Sequence, residues 1–224
     1  MKLTAEKVSK KYNRKTGGAG YFYAVGETDF FALEENALTA VFGKSGSGKT
    51  TLLHMLGGLL APDSGRVLAD GRDIYALSDK ALSAFRNRHI GVIPQGSTPI
   101  ASLTVLENVL LPSLMAGERA KAYALELLET VGIAALRDAM PGELSGGELR
   151  RMAIARALIN KPSIVLADEP TGDLDDENTA KVLSLLRDTA AGGAAVLLVT
   201  HESEAANYAD IVLKMDGGKL TNTL

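Results

Sequence analysis

The sequence predicts an α/β fold: a mostly parallel sheet flanked by helices, a small antiparallel β-subdomain near the N-terminus and a helical subdomain inserted in the middle. Three observations carry this. First, the runs Ala37–Phe42, Ile164–Ala167 and Ala194–Val199 are apolar rather than alternating, broken only by Thr39. A strand covered by helices on both faces reads in this way, whereas a half-exposed strand alternates. Second, these runs, and the shorter Ile90–Ile93, end in polar or glycine-rich turns, and most lead into helical patterns. Third, the stretch from about residue 104 to 160 contains no strong strand candidate.

The N-terminal part supplies short strand candidates at Leu3–Val8, Tyr21–Val25 and Arg66–Leu68. Turn signals stand at Pro62-Asp63-Ser64-Gly65 and Asp70-Gly71. The glycines between Asn13 and Gly20 mark a mobile loop. In the middle, Leu103–Val109 opens a helical pattern that Glu118–Val131 continues, with Leu125, Leu128 and Val131 at helical spacing. The expected division is one domain, residues 1–224. Its core spans about residues 1–95 and 161–224, and its helical subdomain about residues 96–160.

Bulk properties narrow the function. With 224 residues and 46% hydrophobic content, the chain can bury a sizeable core. Its 24 basic and 27 acidic residues give a net charge of −3, which argues against a nucleic-acid partner. There is no cysteine, hence no disulfide framework, which fits a reducing cytosol. No signal-peptide pattern opens the chain, and no apolar run approaches the ~18–20 residues that cross a bilayer. Any work at a membrane would need a membrane partner on another chain.

The sharpest motif is Gly43-Lys44-Ser45-Gly46-Ser47-Gly48-Lys49-Thr50, followed by Thr51. It matches G-x-x-x-x-G-K-[ST] and lies between an apolar strand and a helix with Leu52, Met55, Leu56 and Leu59 on one face. In such a loop the backbone wraps a phosphate with its N–H groups pointing inward. The helix N-terminus adds partial positive charge. Lys49 would neutralise β- and γ-phosphates, and the Thr50 hydroxyl would ligate Mg²⁺. A chain of this length matches the pattern by chance roughly once in a hundred times, and the strand–loop–helix context lowers that further. The chain is therefore expected to have a P-loop NTPase core and to bind ATP with Mg²⁺.

Asp168 and Glu169 end the apolar strand Ile164–Ala167. Charges at the end of a buried strand need a reason. Here Asp168 would hold Mg²⁺ and Glu169 would polarise the attacking water.

Leu144-Ser145-Gly146-Gly147-Glu148, running into Leu149–Leu158, resembles the signature segment of ABC transporter ATPases, L-S-G-G-Q, with Glu in the last place. Gln95 after Ile90–Pro94 resembles that family's Q-loop, Pro170–Asp175 its D-loop and Thr200-His201 its switch histidine. Together the motifs run in family order from about Tyr12 to His201. The resemblance implies two copies paired head to tail, each ATP lying between one copy's P-loop and the other's Ser145 and Gly147. It implies that Gln95 senses Mg²⁺ and the water, that His201 holds the γ-phosphate and orients Glu169, and that Asp175 signals across the dimer. It also implies adenine stacking on Tyr12, with Tyr21, Phe22 and Tyr23 reading as strand packing.

The segments Leu103–Val109 and Ala167–Asp175 resemble the branch of lipoprotein-release, macrolide- and peptide-export, antimicrobial-peptide-resistance and cell-division ATPases. Asp173, Pro94 and Asn36 depart from that branch's usual Asn, Phe and Gly; Asn tolerates left-handed backbone, so the turn at 36 survives. The implied role is an energy-coupling ATPase on a separate permease, peripheral on the inner face of the cell membrane. Its helical lobe would dock beside Gln95 along Ser97–Leu106. Two other readings stand beside this one: an ABC ATPase that transmits force without transport, and a soluble one acting in DNA repair or translation. The last usually needs a second such domain, a long coiled coil or a basic face.

Several residues have plainer readings. Ser145 and Glu148 fit the capping box S-x-x-E. His201-Glu202 is not a zinc helix, since position 205 is Ala. His54 and His89 read as structural, and Arg150 and Arg151 as a solvated helix face.

Overall fold

The computed structural model describes residues 1–13, 20–96, 98–118 and 120–222, without the side chains of Glu27 and Asn222. The loop expected between Asn13 and Gly20, and Ser97 at the start of the expected docking segment, lie outside the described residues.

Along the chain, β1 (Leu3–Asn13), β2 (Tyr21–Leu33) and β3 (Ala37–Phe42) precede α1 (Lys49–Leu56). Then come β4 (Ser64–Ala69), β5 (Arg72–Asp73), α2 (Asp79–His89) and β6 (Ile90–Ile93). The middle holds α3 (Val105–Met115), α4 (Lys121–Thr130) and α5 (Gly146–Leu158). The chain closes with β7 (Ile164–Asp168), α6 (Asp176–Ala191), β8 (Ala195–Thr200), β9 (Ile211–Asp216) and β10 (Lys219–Asn222).

The strands form two sheets. One is antiparallel, in the order β2-β1-β4-β5. The other runs β10-β9-β3-β8-β7-β6 and is parallel except for the edge strand β10. Alternation along the parallel strands explains their largely apolar sequence. Leu38, Ala40, Val165, Ala167, Val196 and Leu198 pack toward α3–α6, in one core. Val41, Ile164, Leu166, Ala195, Leu197 and Val199 pack the other way, against α1 and the antiparallel sheet. Strands β3, β7 and β8 thus feed two cores and have no wet face.

One expectation needs correction, and two elements lie outside those the sequence predicts. The helix after the glycine-rich loop stops at Leu56: Gly57 caps it, Gly58 turns left-handed (φ 66°), and Leu59 lies beyond it, 52% exposed. Helix α2 has no fully buried residue, and only Leu82 and Phe85 pack, partly buried, against the core, so the sequence pattern announces it weakly. The strand pair β9–β10 likewise lies outside the strands expected from the apolar runs. The left-handed turn expected at Asn36 is present, with φ 60°.

Within the middle segment, the loop before α3 is built around Asn108, which is fully buried. Its amide accepts from Ile100 N–H (2.8 Å) and donates to the carbonyls of Ile100, Leu103 and Thr104 (3.1, 2.9 and 3.0 Å). No helix among the described residues is long and apolar enough to cross a membrane.

Candidate functional site: a phosphate pocket and a separate capped helix

Strand β3 delivers the chain into the loop Gly43–Gly48, which opens directly into α1. Gly48 stands at the N-cap in left-handed conformation (φ 106°), and no side chain caps the first turn. The free N–H groups of that turn are the donors a phosphate needs. A Cβ at Gly48 would come within 1.8 Å of the Ala24 carbonyl oxygen, so the approach of β2 excludes any other residue.

A pocket of about 670 Å³ is lined by all of Lys44–Thr51, by Tyr12, Phe22 and Ala24, and by Gln95, Asp168, Glu169 and His201. The structure therefore brings together residues chosen from five distant parts of the sequence. Gly43 lies just behind this wall. Lys49 is buried, and its ammonium donates to the carbonyls of Gly43 (2.6 Å) and Lys44 (3.2 Å). It stands 4.0 Å from the Glu169 carboxylate.

The carboxylates ride on β7, fixed by β8. Asp168 is 2% exposed, and burial pushes its carboxyl above the usual range, against a hydrogen bond from Thr50 that lowers it. Its Oδ1, like the buried Ser47 hydroxyl, finds no hydrogen-bond partner among the described residues. Among the described residues no three His, Cys, Asp or Glu side chains cluster as metal ligands. One orphaned carboxylate oxygen beside a hydroxyl is nonetheless the donor set of Mg²⁺, which takes one or two carboxylates and completes its shell with water and phosphate oxygens.

Glu169 stands in left-handed backbone (φ 48°), rare for a non-glycine residue and frequent at functional sites. Its N–H donates to Val199 O (2.9 Å). The Thr200 hydroxyl donates to Glu169 Oε2 (3.0 Å), and His201 Nδ1 lies 3.0 Å from the same carboxylate. That hydrogen bond raises the His201 pKa above its ordinary value. Thr200 Oγ1 also accepts from Glu202 N–H (3.1 Å), and Glu202 takes a short hydrogen bond from the Thr171 hydroxyl. The ends of β7 and β8 are thereby tied through the side chains of Glu169, Thr171, Thr200, His201 and Glu202.

Ser145, Gly147 and Asp175 are not in this pocket. They share a separate hollow of about 410 Å³ with Gly146, Arg151, Asp173, Leu174 and Asn178. Ser145 and Glu148 form the expected capping box. Glu148 Oε2 accepts from the Ser145 N–H and hydroxyl, both at 2.7 Å, and Glu148 N–H points at Ser145 Oγ (3.4 Å). The Ser145 hydrogen bonds pull the Glu148 carboxyl below the usual range. Asp175 caps α6 by accepting from the backbone N–H (2.8 Å) and side-chain amide of Asn178.

Two readings of single residues change. Arg150 is no solvated face: it is 5% exposed and donates to Pro94 O (2.6 Å) and, more closely still, to Gln95 O. Phe22 is more than strand packing: it lines the pocket, its ring 6.0 Å from that of Tyr12 across the β1–β2 pair. Only the alternation of facing along β2, which separates Phe22 from Tyr21 and Tyr23, could have singled it out. His89 packs against Phe85 (5.1 Å between rings), away from the pocket, as a structural histidine would.

The sequence profile described as ABC transporter matches residues 28–172. The lipoprotein-releasing system ATP-binding protein LolD of Chromohalobacter salexigens is 47% identical over 81% of this chain and 78% of its own length. The macrolide export ATP-binding/permease protein MacB of Chlorobaculum tepidum is 40% identical over 88% of this chain, which covers 32% of that longer protein. A solved structure, the dimeric form of the bacterial ABC transporter cassette MJ0796, superposes with a TM-score of 0.89 at 32% identity, covering 98% of both chains. The same cassette has also been solved in a post-hydrolysis state bound to ADP and Pi, at equal similarity. With this fold, this pocket and these relatives, the chain belongs to the ABC transporter family as an ATP-binding and ATP-hydrolysing subunit, in the branch of the lipoprotein-release and macrolide-export ATPases.

Proposed function

We propose that the chain hydrolyses Mg²⁺–ATP in a head-to-tail pair of identical copies and so drives a separate membrane permease. The observation that carries this is the division of the site. The phosphate pocket is walled by residues from five parts of one copy, while Ser145 and Gly147 stand in a separate hollow of the same copy. Gly146 points the same way. A Cβ there would meet nothing within 4 Å, and its φ is ordinary, so its own fold does not require a glycine. A surface that must admit a second molecule does require one.

In this reading Gly43–Thr51 wrap the phosphates and Lys49 neutralises them. Thr50 and Asp168, with Gln95, hold Mg²⁺, which supplies charge compensation on the phosphates. Glu169 takes a proton from the attacking water; Thr200 and His201 hold its carboxylate in place, and His201 reaches toward the γ-phosphate. Tyr12, beside Phe22, offers a ring face to adenine. Ser145 and Gly147 complete the site of the partner copy, and Asp175 lies at the seam.

The permease would dock on the helical segment after Gln95, where Ile100 is exposed; Leu114 and Met115 are exposed at the C-terminal end of α3. The chain would sit peripherally on the inner face of the membrane. By its relatives, the cargo would be a released lipoprotein or an exported macrolide.

Glu169→Gln tests the site and the pairing together. It is expected to bind ATP with affinity near that of the wild type, to lose turnover by about 100-fold or more, and to dimerise with ATP and Mg²⁺ in light scattering. A variant that turns over normally would take the base role from Glu169. One that stays monomeric at saturating ATP, with and without its permease, would refute the composite site.

A further inference from the structure

The helix that carries Ser145 and Gly147 is also the helix that holds Gln95. Arg150 lies on α5 five residues beyond Ser145, about 7.5 Å along the axis. Its guanidinium donates to the carbonyls of Pro94 and Gln95. Six residues further on, Arg156 donates to Thr98 O (2.8 Å) and Thr98 Oγ1 (3.1 Å). Two rungs thus fasten the segment after β6 to α5.

The two rungs differ. Arg156 reaches an exposed residue, whereas Arg150 is buried and also lies 3.8 Å from where a Cβ on Gly172 would stand, in the turn after Glu169. Arg150 binds backbone rather than a carboxylate. The charges of Asp173, Asp168 and Glu169 surround it, and they offset the burial that presses its pKa down. A buried cation of this kind is costly unless every donor is used, and a planar fork that grips two successive carbonyls leaves them little freedom.

We propose that Arg150 is a positioning residue that couples the two ATP sites of the dimer. This rests on the composite-site reading above. When Ser145 and Gly147 of one copy engage the partner's ATP, α5 is fixed. Through Arg150 it then fixes the backbone of Gln95 in that copy's own site. Each site thereby registers that the other is closed. Arg150 touches neither nucleotide; it acts through Gln95.

The test compares wild type, Arg150→Met and Arg150→Lys for ATP affinity, hydrolysis rate against ATP concentration, and melting temperature. Arg150→Met is expected to bind ATP to the monomer within about twofold of wild type, to lose kcat by about tenfold or more, and to drop the Hill coefficient to one. Lys, which can still hold one carbonyl, is expected to recover part of both. A direct readout is available because the chain has no cysteine. Ala101→Cys, an exposed position beyond the two rungs, takes a single fluorophore. In a Glu169→Gln background its signal is expected to change on ATP-driven pairing, and to stop changing when Arg150→Met is added while the dimer still forms. An unchanged Hill coefficient and kcat in Arg150→Met would overturn the proposal. So would a loss that follows melting temperature and is not rescued by Lys. Should Arg150→Met not fold, Arg150→Lys decides: wild-type melting with a lowered Hill coefficient supports the coupling, and a wild-type Hill coefficient refutes it. Failure of Glu169→Gln to dimerise at all would instead remove the composite site on which the proposal stands.

Discussion

The phosphate loop and the signature segment are both short glycine-rich stretches at a helix start, yet the chain treats them in opposite ways. At Gly48 no side chain caps α1, and its first N–H groups stay available. At Ser145 a full capping box closes the start of α5 on itself. The glycine at 48 is required by the chain's own backbone, since the Ala24 carbonyl would collide with any Cβ; the glycine at 146 has open space around it. One helix start is built by its own fold to hold a ligand. The other is finished as a fold and is left open for something brought to it.

Two alanine substitutions separate these cases most sharply. Gly48→Ala sets a Cβ against backbone at φ 106°. It is expected to cost about 4 kcal/mol or more, about 10 °C in melting temperature for a domain of this size, and to abolish ATP binding. Gly146→Ala is expected to leave melting and monomer ATP affinity within error, because nothing lies within 4 Å of the new carbon. It should still lower ATP-dependent pairing and turnover. If Gly146→Ala pairs and hydrolyses normally, the open space at 146 serves no partner, and the contrast between the two glycines is only structural.

The same comparison can be read at Glu169, where the phosphate half is poised by hydrogen bonds. His201 owes its raised pKa first to the Glu169 hydrogen bond and then to that residue's charge. Glu169→Gln is therefore expected to return His201 toward the ordinary value near 6.5, measured by NMR titration without nucleotide. The sign follows: a His pKa raised by folding contributes stability that is fully present below the unfolded-state value and lost as pH rises through the raised one. The His201–Glu169 contact should accordingly weaken above neutral pH. An unshifted His201 in Glu169→Gln would mean that the contact is not made in solution.

What could be read in the sequence follows from how each signal arises. Strands β3 and β6 match their runs residue for residue, because a strand feeding two cores keeps few polar positions to blur it; in β3 only Thr39 is polar, and it is buried. The phosphate pocket was legible because strand, loop and helix are contiguous, and because two carboxylates at the end of a buried strand are too costly to keep without a cation or a proton to handle. Helix α2 left only a short trace, since Leu82 and Phe85 alone pack, partly buried, against the core, and it depends besides on its Ser78 cap and on Arg86, which donates to Gly58 O (3.0 Å). Arg150 is hidden for a related reason. An arginine on a helix reads as solvated unless its acceptors are known, and these lie 55 and 56 residues away in sequence. Phe22 is hidden because three consecutive aromatics on one strand look alike until the alternation of facing is fixed.

Glu148 offers the smallest effect and the finest test of the contrast. A carboxylate in the signature segment should repel a γ-phosphate if it faced one. It faces its own helix instead: both of its hydrogen bonds at 2.7 Å go to Ser145, and they draw its pKa down. Glu148→Gln keeps an acceptor and removes the charge, so hydrolysis is expected to stay at the wild-type rate or rise. The charge's favourable place at the helix start is worth about 0.3–1 kcal/mol, so melting at pH 7 should fall by about 1–3 °C. Glu148→Ala loses the cap as well, costing about 0.5–2 kcal/mol. A depressed carboxyl pKa contributes stability above the unfolded value, near 4.3, and loses it as pH falls through the folded one. The melting curves of wild type and Glu148→Gln should therefore part at neutral pH and merge as pH falls through the lowered carboxyl value. Calorimetry across that range checks the cap, and the hydrolysis rate checks the chemistry. A constant difference down to about pH 3 would remove the charge from the cap. A large loss of hydrolysis in Glu148→Gln, with melting intact, would place Glu148 in the reaction and make the signature segment an active wall rather than a finished one.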